Sequence, residues 1–332
     1  MLSTKPILIA TRGSALALAQ ANMVLAQCRA KFPELSFELK IIKTTGDKLQ
    51  TASMSKISAT LPRGLFTKEL EAALLKGRAD LAVHSLKDLP TELPEGLKLG
   101  GVGGKRQDVR DVLIYRDASY LKTQNDATRR GFKGKSKIAE LPKALTVGTS
   151  STRRAAQLLA LRPDFKIVEI RGNVATRLEK LARQPELDAT LLAAAGLARL
   201  KFQITAGGKI KGEGIPEGLS ATILEPEEMM PCVGQAAIGI EIRENDERLE
   251  EICRRLSDLS TLHSVTAERA LLQAMGGGCQ TPVGAYAEIR DQQIHLRAVS
   301  FIGEQVKRAE GKASIAESVQ LGERLAAQLK NE

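Results

Sequence analysis

Leu145-Thr146-Val147-Gly148-Thr149-Ser150-Ser151-Thr152-Arg153-Arg154 sets a short apolar run against a hydroxyl-rich turn and then opens a helical pattern with two arginines. Strand, polar turn and helix in direct succession form the repeating unit of a parallel α/β sheet. This geometry aims the unpaired N–H groups and the positive dipole end of the helix at whatever occupies the turn. Thr149, Ser150 and Ser151 therefore read as anion donors, and Arg153 and Arg154 as forks for carboxylates.

The same grammar recurs outward in both directions. Downstream, Ile167 to Ile170 passes through Arg171-Gly172-Asn173 into a helix with Leu178, Leu181 and Arg177, and Ala189 to Leu192 leads into Ala193 to Leu200 with Arg199. Upstream, Ile7-Leu8-Ile9-Ala10 runs through Thr11-Arg12-Gly13-Ser14 into a helix from Ala15 to about Arg29, where Ser14 and Arg12 are anion contacts, Arg12 as a carboxylate fork, or only a helix cap and a solvated side chain. Asp80 to His84 reads as a strand running into Ser85-Leu86-Lys87-Asp88-Leu89-Pro90. Pro90 disfavours helix at Leu89, so Lys87 and Asp88 lie in a loop at a strand's C-terminal end, where open α/β sheets bind ligands. From its residues alone Asp88 is a general acid or base, a stabiliser of a developing cation, or a turn cap. Several turns carrying Arg at one end of a sheet imply a cleft for a polycarboxylate.

At 332 residues the chain is long enough for two or three domains, and with 3% aromatics and no Trp its cores fall to Leu, Ile, Val and Ala. The 49 Lys and Arg against 39 Asp and Glu give a formal +10, which attracts an anionic partner: nucleic acid, phosphate or a multiply carboxylated small molecule. Four widely spaced Cys and three scattered His argue against zinc, and Cys28 and Cys253 fall on apolar stripes that read as core. With no signal-peptide pattern, no run of about 18 apolar residues and no Asn-x-Ser/Thr sequon, a soluble protein of a reducing compartment, the cytoplasm, is expected.

Four other stretches punctuate the chain. A helix is expected from about Phe66 to a glycine stop at Gly77, and Gly100-Gly101-Val102-Gly103-Gly104 reads as a hinge. Lys105 to Lys137 is the most basic and least periodic part; with few aromatics and no helical face gathering the charge, it reads as a solvated, disordered insertion and not as a nucleic-acid surface. Past an apparent crossover at Pro231 to Gln235, a strand from Ala237 to Ile242 and helices from about Asp246 to Leu259 and Thr261 to Met275 lead to Met275-Gly276-Gly277-Gly278-Cys279-Gln280-Thr281-Pro282. Three glycines there predict a mobile loop, and Cys279 is a reactive thiol on its end or a small residue filling a tight turn. Strands from Ala285 to Arg290 and Gln293 to Phe301 and a helix from about Ile315 complete an α+β domain.

Read in order, His84-Ser-Leu-Lys-Asp88-Leu-Pro, Gly148-Thr-Ser-Ser-Thr-Arg153-Arg154, Arg171-Gly-Asn-Val-Ala-Thr-Arg177-Leu, Val233-Gly-Gln-Ala-Ala-Ile-Gly-Ile-Glu241 and Gly277-Gly-Cys279-Gln-Thr-Pro-Val-Gly resemble the porphobilinogen deaminase family, also called hydroxymethylbilane synthases. The resemblance covers nearly the whole chain. It implies an α/β fold: two periplasmic-binding-protein-like lobes with mainly parallel sheets, residues 1–103 with about 236–258, and 107–230 with a basic insertion near 120–140. A smaller α+β domain, 260–332, carries the Cys loop.

It also implies a transferase that adds four porphobilinogens head to tail, each losing ammonia, to a dipyrromethane cofactor joined by thioether to Cys279, and then hydrolyses off linear hydroxymethylbilane. Asp88 matches the family's catalytic Asp, which hydrogen-bonds pyrrole N–H groups and stabilises the azafulvene cation formed on deamination. Arg12, Ser14, Gln20, Ser85, Lys87, Thr149, Ser150, Ser151, Arg153, Arg154, Arg171, Asn173, Arg177 and Arg199 are the implied cofactor and substrate contacts, with Arg63 a further one. No metal, nucleotide, nucleic acid or membrane is implied, the protein is expected to be a monomer, and uroporphyrinogen-III synthase is the expected recipient of the product. The chain departs from the family where Leu61-Pro62-Arg63-Gly64-Leu65-Phe66 stands for Gly-Gly-Lys-Gly-Leu-Phe, and where Ala236 stands for a glycine. A binding protein of the same two-lobed architecture that captures an anion without chemistry is the competing reading, and the thiol on its glycine arm weighs against it.

Overall fold

The structure, a computed structural model, describes residues 5–46, 67–278 and 280–331. The chain opens with β1 (Ile7–Arg12), α1 (Ala15–Lys31), β2 (Phe37–Ile42), α2 (Lys68–Leu75), β3 (Leu81–Ser85), a 3-10 turn at Leu86–Asp88 and β4 (Leu97–Val102). It crosses into a second lobe of β5 (Asp111–Arg116), α3 (Ala118–Thr123), β6 (Thr146–Gly148), α4 (Thr152–Leu161), β7 (Lys166–Val168), α5 (Val174–Arg183), β8 (Ala189–Ala193), α6 (Ala194–Arg199), the small hairpin β9 (Gln203–Ile204) and β10 (Ile210–Lys211), and β11 (Leu219–Leu224). It then returns through β12 (Ile238–Arg243) and α7 (Glu247–Leu256), and ends in α8 (Leu259–Ala274), β13 (Val283–Arg290), β14 (Gln293–Ser300), β15 (Lys307–Ser314) and α9 (Ser318–Asn331).

The two large sheets run β2-β1-β3-β12-β4 and β11-β5-β8-β6-β7. β1, β2 and β3 are parallel, as are β6, β7 and β8, as the strand–turn–helix pattern demands. In each sheet the one reversed strand is the one that arrives from the other lobe: β12 is antiparallel to β3 and β4, and β5 to β8 and β11. Two chain crossings therefore join the lobes, and the C-terminal ends of β1, β3, β6 and β7 carry the polar turns. Each lobe has an apolar core of its own. Cys28 and Cys253 sit fully buried in the first, where burial pushes their thiols up to about 11 and about 12.

Two expectations are corrected. Gly100 and Gly101 form no hinge but lie within β4, pressed on its partners: a methyl on Gly101 would stand 2.4 Å from Ser257 Oγ, and one on Gly100 2.8 Å from Ile242. The basic stretch 105–137 is no solvated insertion. It contains β5, all six residues of which are buried, and Leu121 and Phe132 are core as well. Its arginines are backbone donors: Arg116 to Leu187 O at 2.7 Å, Arg129 to Ala182 O at 2.6 Å and Arg130 to Lys143 O at 3.0 Å. β15 was not foreseen either; it is an alternating strand whose inward residues are the small Ala309, Gly311 and Ala313 against α9.

Candidate functional site

Asp88 is exposed at the end of the 3-10 turn, between buried Leu86 and Leu89. The backbone fixes it there: Leu86 N donates to Ala237 O at 3.1 Å, and Arg269 of α8 donates to Pro90 O at 2.7 Å and Leu89 O at 3.2 Å. Arg12, Ser14, Gln20, Thr67, His84 and Ser85 line a single cavity with it. In that cavity Gln20 Nε2 donates to Ser85 Oγ at 2.7 Å, and Ser14 caps α1 by accepting from Ala17 N at 3.3 Å. β1 and β3 are adjacent parallel strands, so their C-terminal turns meet.

Cations converge on this carboxylate from both lobes. Lys87 is held below the ordinary lysine range by burial and then by Arg154, with Asp88, Cys232 and Asp111 pulling the other way. Burial brings Arg177 and Arg199 down to about 10, and Asp88 opposes the shift in both. A carboxylate of the first lobe thus lies within Coulombic reach of guanidiniums from α5 and α6 of the second. Arg177 Nε also donates to Gly172 O at 2.9 Å, and Arg199 Nε to Gln107 Oε1 at 2.6 Å.

The turn before α4 is knitted by its own hydroxyls. Ser151 caps the helix, Thr149 Oγ accepts from Ser151 N at 3.2 Å, and Ser150 Oγ donates to Ile170 O at 2.8 Å. Asn173 caps α5 in the same way, accepting from Thr176 N at 2.9 Å, while Arg171 pairs with Glu169 at 2.6 Å. Arg153 and Arg154 are turned inward. Arg154 donates to Asp111 Oδ1 at 2.6 Å and to Leu191 O at 2.9 Å, and Arg153 to Asp111 Oδ2 at 2.8 Å and Met230 O at 2.6 Å. Arg153 Nε is buried without a hydrogen-bond partner among the described residues, and its side chain lines a second cavity with Lys87, Ser151, Cys232, Arg269 and Gly278.

That cavity abuts the glycine loop. Gly276 has φ +69°, a left-handed conformation that favours glycine, and among the described residues nothing stands within 4 Å of a methyl placed on Gly276 or Gly278. Gly278 N donates to Thr281 Oγ1 at 3.0 Å, and Thr152 Oγ1 of α4 donates to Gln280 O at 2.6 Å. Cys279 lies outside the described residues, as does the stretch from Leu61 to Phe66 with Arg63.

Several participants were missed in the sequence. Asp111, fully buried, opens the strand hidden in the basic stretch. Glu268, also fully buried, accepts from both terminal nitrogens of Arg106 at 2.6 and 3.0 Å, from Gly234 N at 2.8 Å and from Ala287 N at 2.8 Å, so that it ties both crossings to the third domain. His84 and Glu241 were quoted as parts of motifs without a role; they pair at 3.0 Å in the core. Ala236, where a glycine was noted as usual, has φ +70°, which accounts for that usage: a non-glycine residue is strained there by about 1 kcal/mol.

Among the described residues no group of three or more His, Cys, Asp or Glu could hold a metal, and no helix is long and apolar enough to cross a membrane. Two family models match the chain: porphobilinogen deaminase, dipyromethane cofactor binding domain, over residues 7–251, and porphobilinogen deaminase, C-terminal domain, over residues 262–331. The porphobilinogen deaminase of Natranaerobius thermophilus is 42% identical over 312 residues, covering 94% of this chain and 87% of that one. That of Desulforudis audaxviator is 43% identical over 328 residues, covering 98% and 94%. This chain therefore belongs to the porphobilinogen deaminase family, transferases of tetrapyrrole biosynthesis that join four porphobilinogens head to tail, with loss of ammonia, on a bound dipyrromethane and release hydroxymethylbilane.

Proposed function

We propose that Asp88 is the carboxylate at which each porphobilinogen is deaminated, that Cys279 holds the dipyrromethane by thioether, and that the arginines on the facing turns hold the acetate and propionate groups. The observation that carries this reading is the position of Asp88: exposed in the cleft, yet within Coulombic reach of Lys87, Arg177 and Arg199. A carboxylate so placed accepts hydrogen bonds from pyrrole N–H groups and sits beside the ring that becomes cationic when ammonia leaves. The surrounding cations take the substrate's carboxylates.

The second cavity fits an acidic, flat cofactor. Its lining combines Lys87, Arg153, the Ser151 helix cap and the Gly278 end of the loop, and the unpartnered Arg153 Nε is a donor suited to a carboxylate. When bound, the dipyrromethane supplies the pyrrole α-carbon that begins the chain. Arg12, Ser14, Gln20 and Ser85 line the cavity at Asp88 and are assigned to the incoming ring, with Arg199 opposite. Thr149, Ser150, Asn173 and Arg171 shape the second-lobe turns toward the acidic substituents, and Arg154 acts from below by way of Asp111. Arg63 is assigned to the same cleft. Residues 1–103 with 236–258, 107–230 and 260–332 are taken as the three domains. We further assign the protein to the cytoplasm as a monomer whose product passes to uroporphyrinogen-III synthase.

Single-turnover ammonia release tests the central assignment. Asp88→Asn is expected to bind porphobilinogen and release ammonia at a rate at least about a hundredfold lower, the usual scale for a removed acid–base or charge-stabilising group. Near-normal release would remove Asp88 from this role.

A further inference from the structure

Below the cleft lies a cluster that the reading above leaves without a task. His84, the fourth residue of β3, lines the cavity that contains Asp88 although only 6% of its surface is exposed. Its Nε2 lies 3.0 Å from Oε2 of Glu241, on the neighbouring strand β12, and Glu241 has no exposure at all. Oε1 of Glu241 is buried without a hydrogen-bond partner among the described residues. A third ionisable group, Glu71 of α2, is 7% exposed and close enough for both to act on it: burial raises its carboxyl, Thr67 lowers it by a hydrogen bond, Glu241 raises it and His84 lowers it. Thr67 lines the cleft too. Among the described residues Glu241 from β12 and Glu71 from α2 thus flank the imidazole, Lys68 acts on Glu71, and Arg12 from the end of β1 and Asp88 from the 3-10 turn line the same cavity.

Apolar side chains would fill this space at less desolvation cost than two carboxylates and an imidazole. A carboxylate on one ring nitrogen fixes the tautomer of a histidine: Nε2–H donates to Glu241, and Nδ1 is left as the basic nitrogen. The chemistry of the cleft calls for such a base. Each ring addition forms a C–C bond between the α-carbon of the growing chain and the methylene of the incoming ring, whose amine leaves as ammonia. The α C–H bond then breaks, its electron pair restores the aromatic pyrrole, and one proton must go to an acceptor.

We propose that His84, oriented by Glu241, is that acceptor, taking the α-proton on Nδ1 at each ring addition and returning it to solvent through the cleft. Glu241 is the counter-ion of the imidazolium so formed, and Asp88 keeps its place beside the cationic ring. The proposal rests on the cleft around Asp88 being where the rings are joined.

Porphobilinogen deuterated at its free α-position tests it, with the second and later ring additions followed, because the label is lost only when the labelled ring is itself extended. For the unaltered protein an isotope effect near unity is expected. For His84→Gln, which keeps a donor toward Glu241 but no basic nitrogen, ring addition is expected to slow by about a hundredfold, with an isotope effect above about two as proton loss becomes limiting. Slowing without a change in isotope effect, or no slowing, overturns the proposal. If His84→Gln does not fold, Glu241→Gln gives the same readout, because it removes the counter-ion at constant size. A measurement independent of turnover uses nitrogen-15 spectra of the apoprotein, tractable with three histidines in the chain. His84 is expected as the Nε2–H tautomer; an Nδ1–H tautomer overturns the proposal. Failure of the Asp88 assignment is distinguishable, since it would show as ammonia release by Asp88→Asn, a step that precedes loss of the α-proton.

Discussion

Arg154 grips Asp111 with Nη2 at 2.6 Å and Nε at 3.2 Å from the same carboxylate oxygen, while Arg153 holds the other oxygen at 2.8 Å. One buried carboxylate at the start of the strand that crosses between lobes thus sets both arginines at the head of α4. Replacing it by alanine leaves two guanidiniums buried without their counter-ion, and a loss of about 3–5 kcal/mol is expected in urea unfolding. Loading of the cofactor should fall as well, because Ser151 and Arg153 would no longer be aimed. A variant of unchanged stability and loading would contradict this role.

The same carboxylate gives a pH dependence of defined sign. Burial alone would raise its pKa, but Arg153 and Arg154 outweigh burial and hold it far below the ordinary value of 3.8. A depressed carboxyl adds stability that is fully present above its unfolded value and is lost as pH falls below it. The urea midpoint should therefore decline between about pH 5 and pH 3, and the decline should be shallower in Asp111→Asn. Equal slopes in the two proteins would assign the acid sensitivity elsewhere.

Glu268 is another buried carboxylate with several donors, and its partners belong to three parts of the chain. Glu268→Ala takes the carboxylate from both terminal nitrogens of Arg106 and from two backbone N–H groups, and a loss of about 3–5 kcal/mol is expected. Hydrogen exchange should show the loss of protection concentrated where α8 and β13 meet the crossings. Protection lost evenly over the molecule would argue against a joint at this point.

Close approach of β4 to α7 makes a prediction that separates two glycines. Gly101→Ala places its methyl 2.4 Å from Ser257 Oγ and 3.0 Å from Cys253 O, and should destabilise by about 1–3 kcal/mol. Gly196→Ala, within α6 and with its nearest neighbour at 3.9 Å, should stabilise by up to about 1 kcal/mol. Thermal unfolding of the two single variants checks both signs.

Much of this was legible in the sequence, for a physical reason. Where a strand, a polar turn and a capped helix follow one another, as at Val147 to Arg154, local pattern and tertiary role coincide, and the parallel strands and their turns could be read off directly. β5 escaped because its apolar centre, Val112-Leu113-Ile114, lies between Asp111 and Arg116, whose buried side chains find partners far along the chain, Arg153 and Arg154 for the first and Leu187 O for the second. Gly100 and Gly101 suggested freedom because sequence shows the missing side chain but not the helix lying against it. The inward turn of Arg153 and Arg154 was hidden likewise: an arginine at a helix start looks the same whether its partner is a ligand or a buried Asp. His84 and Glu241 are 157 positions apart, and only the pairing of β3 with β12 brings them together.

Intact-protein mass under denaturing conditions tests the central claim most directly. Purified active protein is predicted to exceed the mass of the 332-residue chain by two linked pyrroles, and Cys279→Ser to show the bare chain mass and no activity. Active protein at the bare chain mass, or an adduct that survives Cys279→Ser, would contradict it.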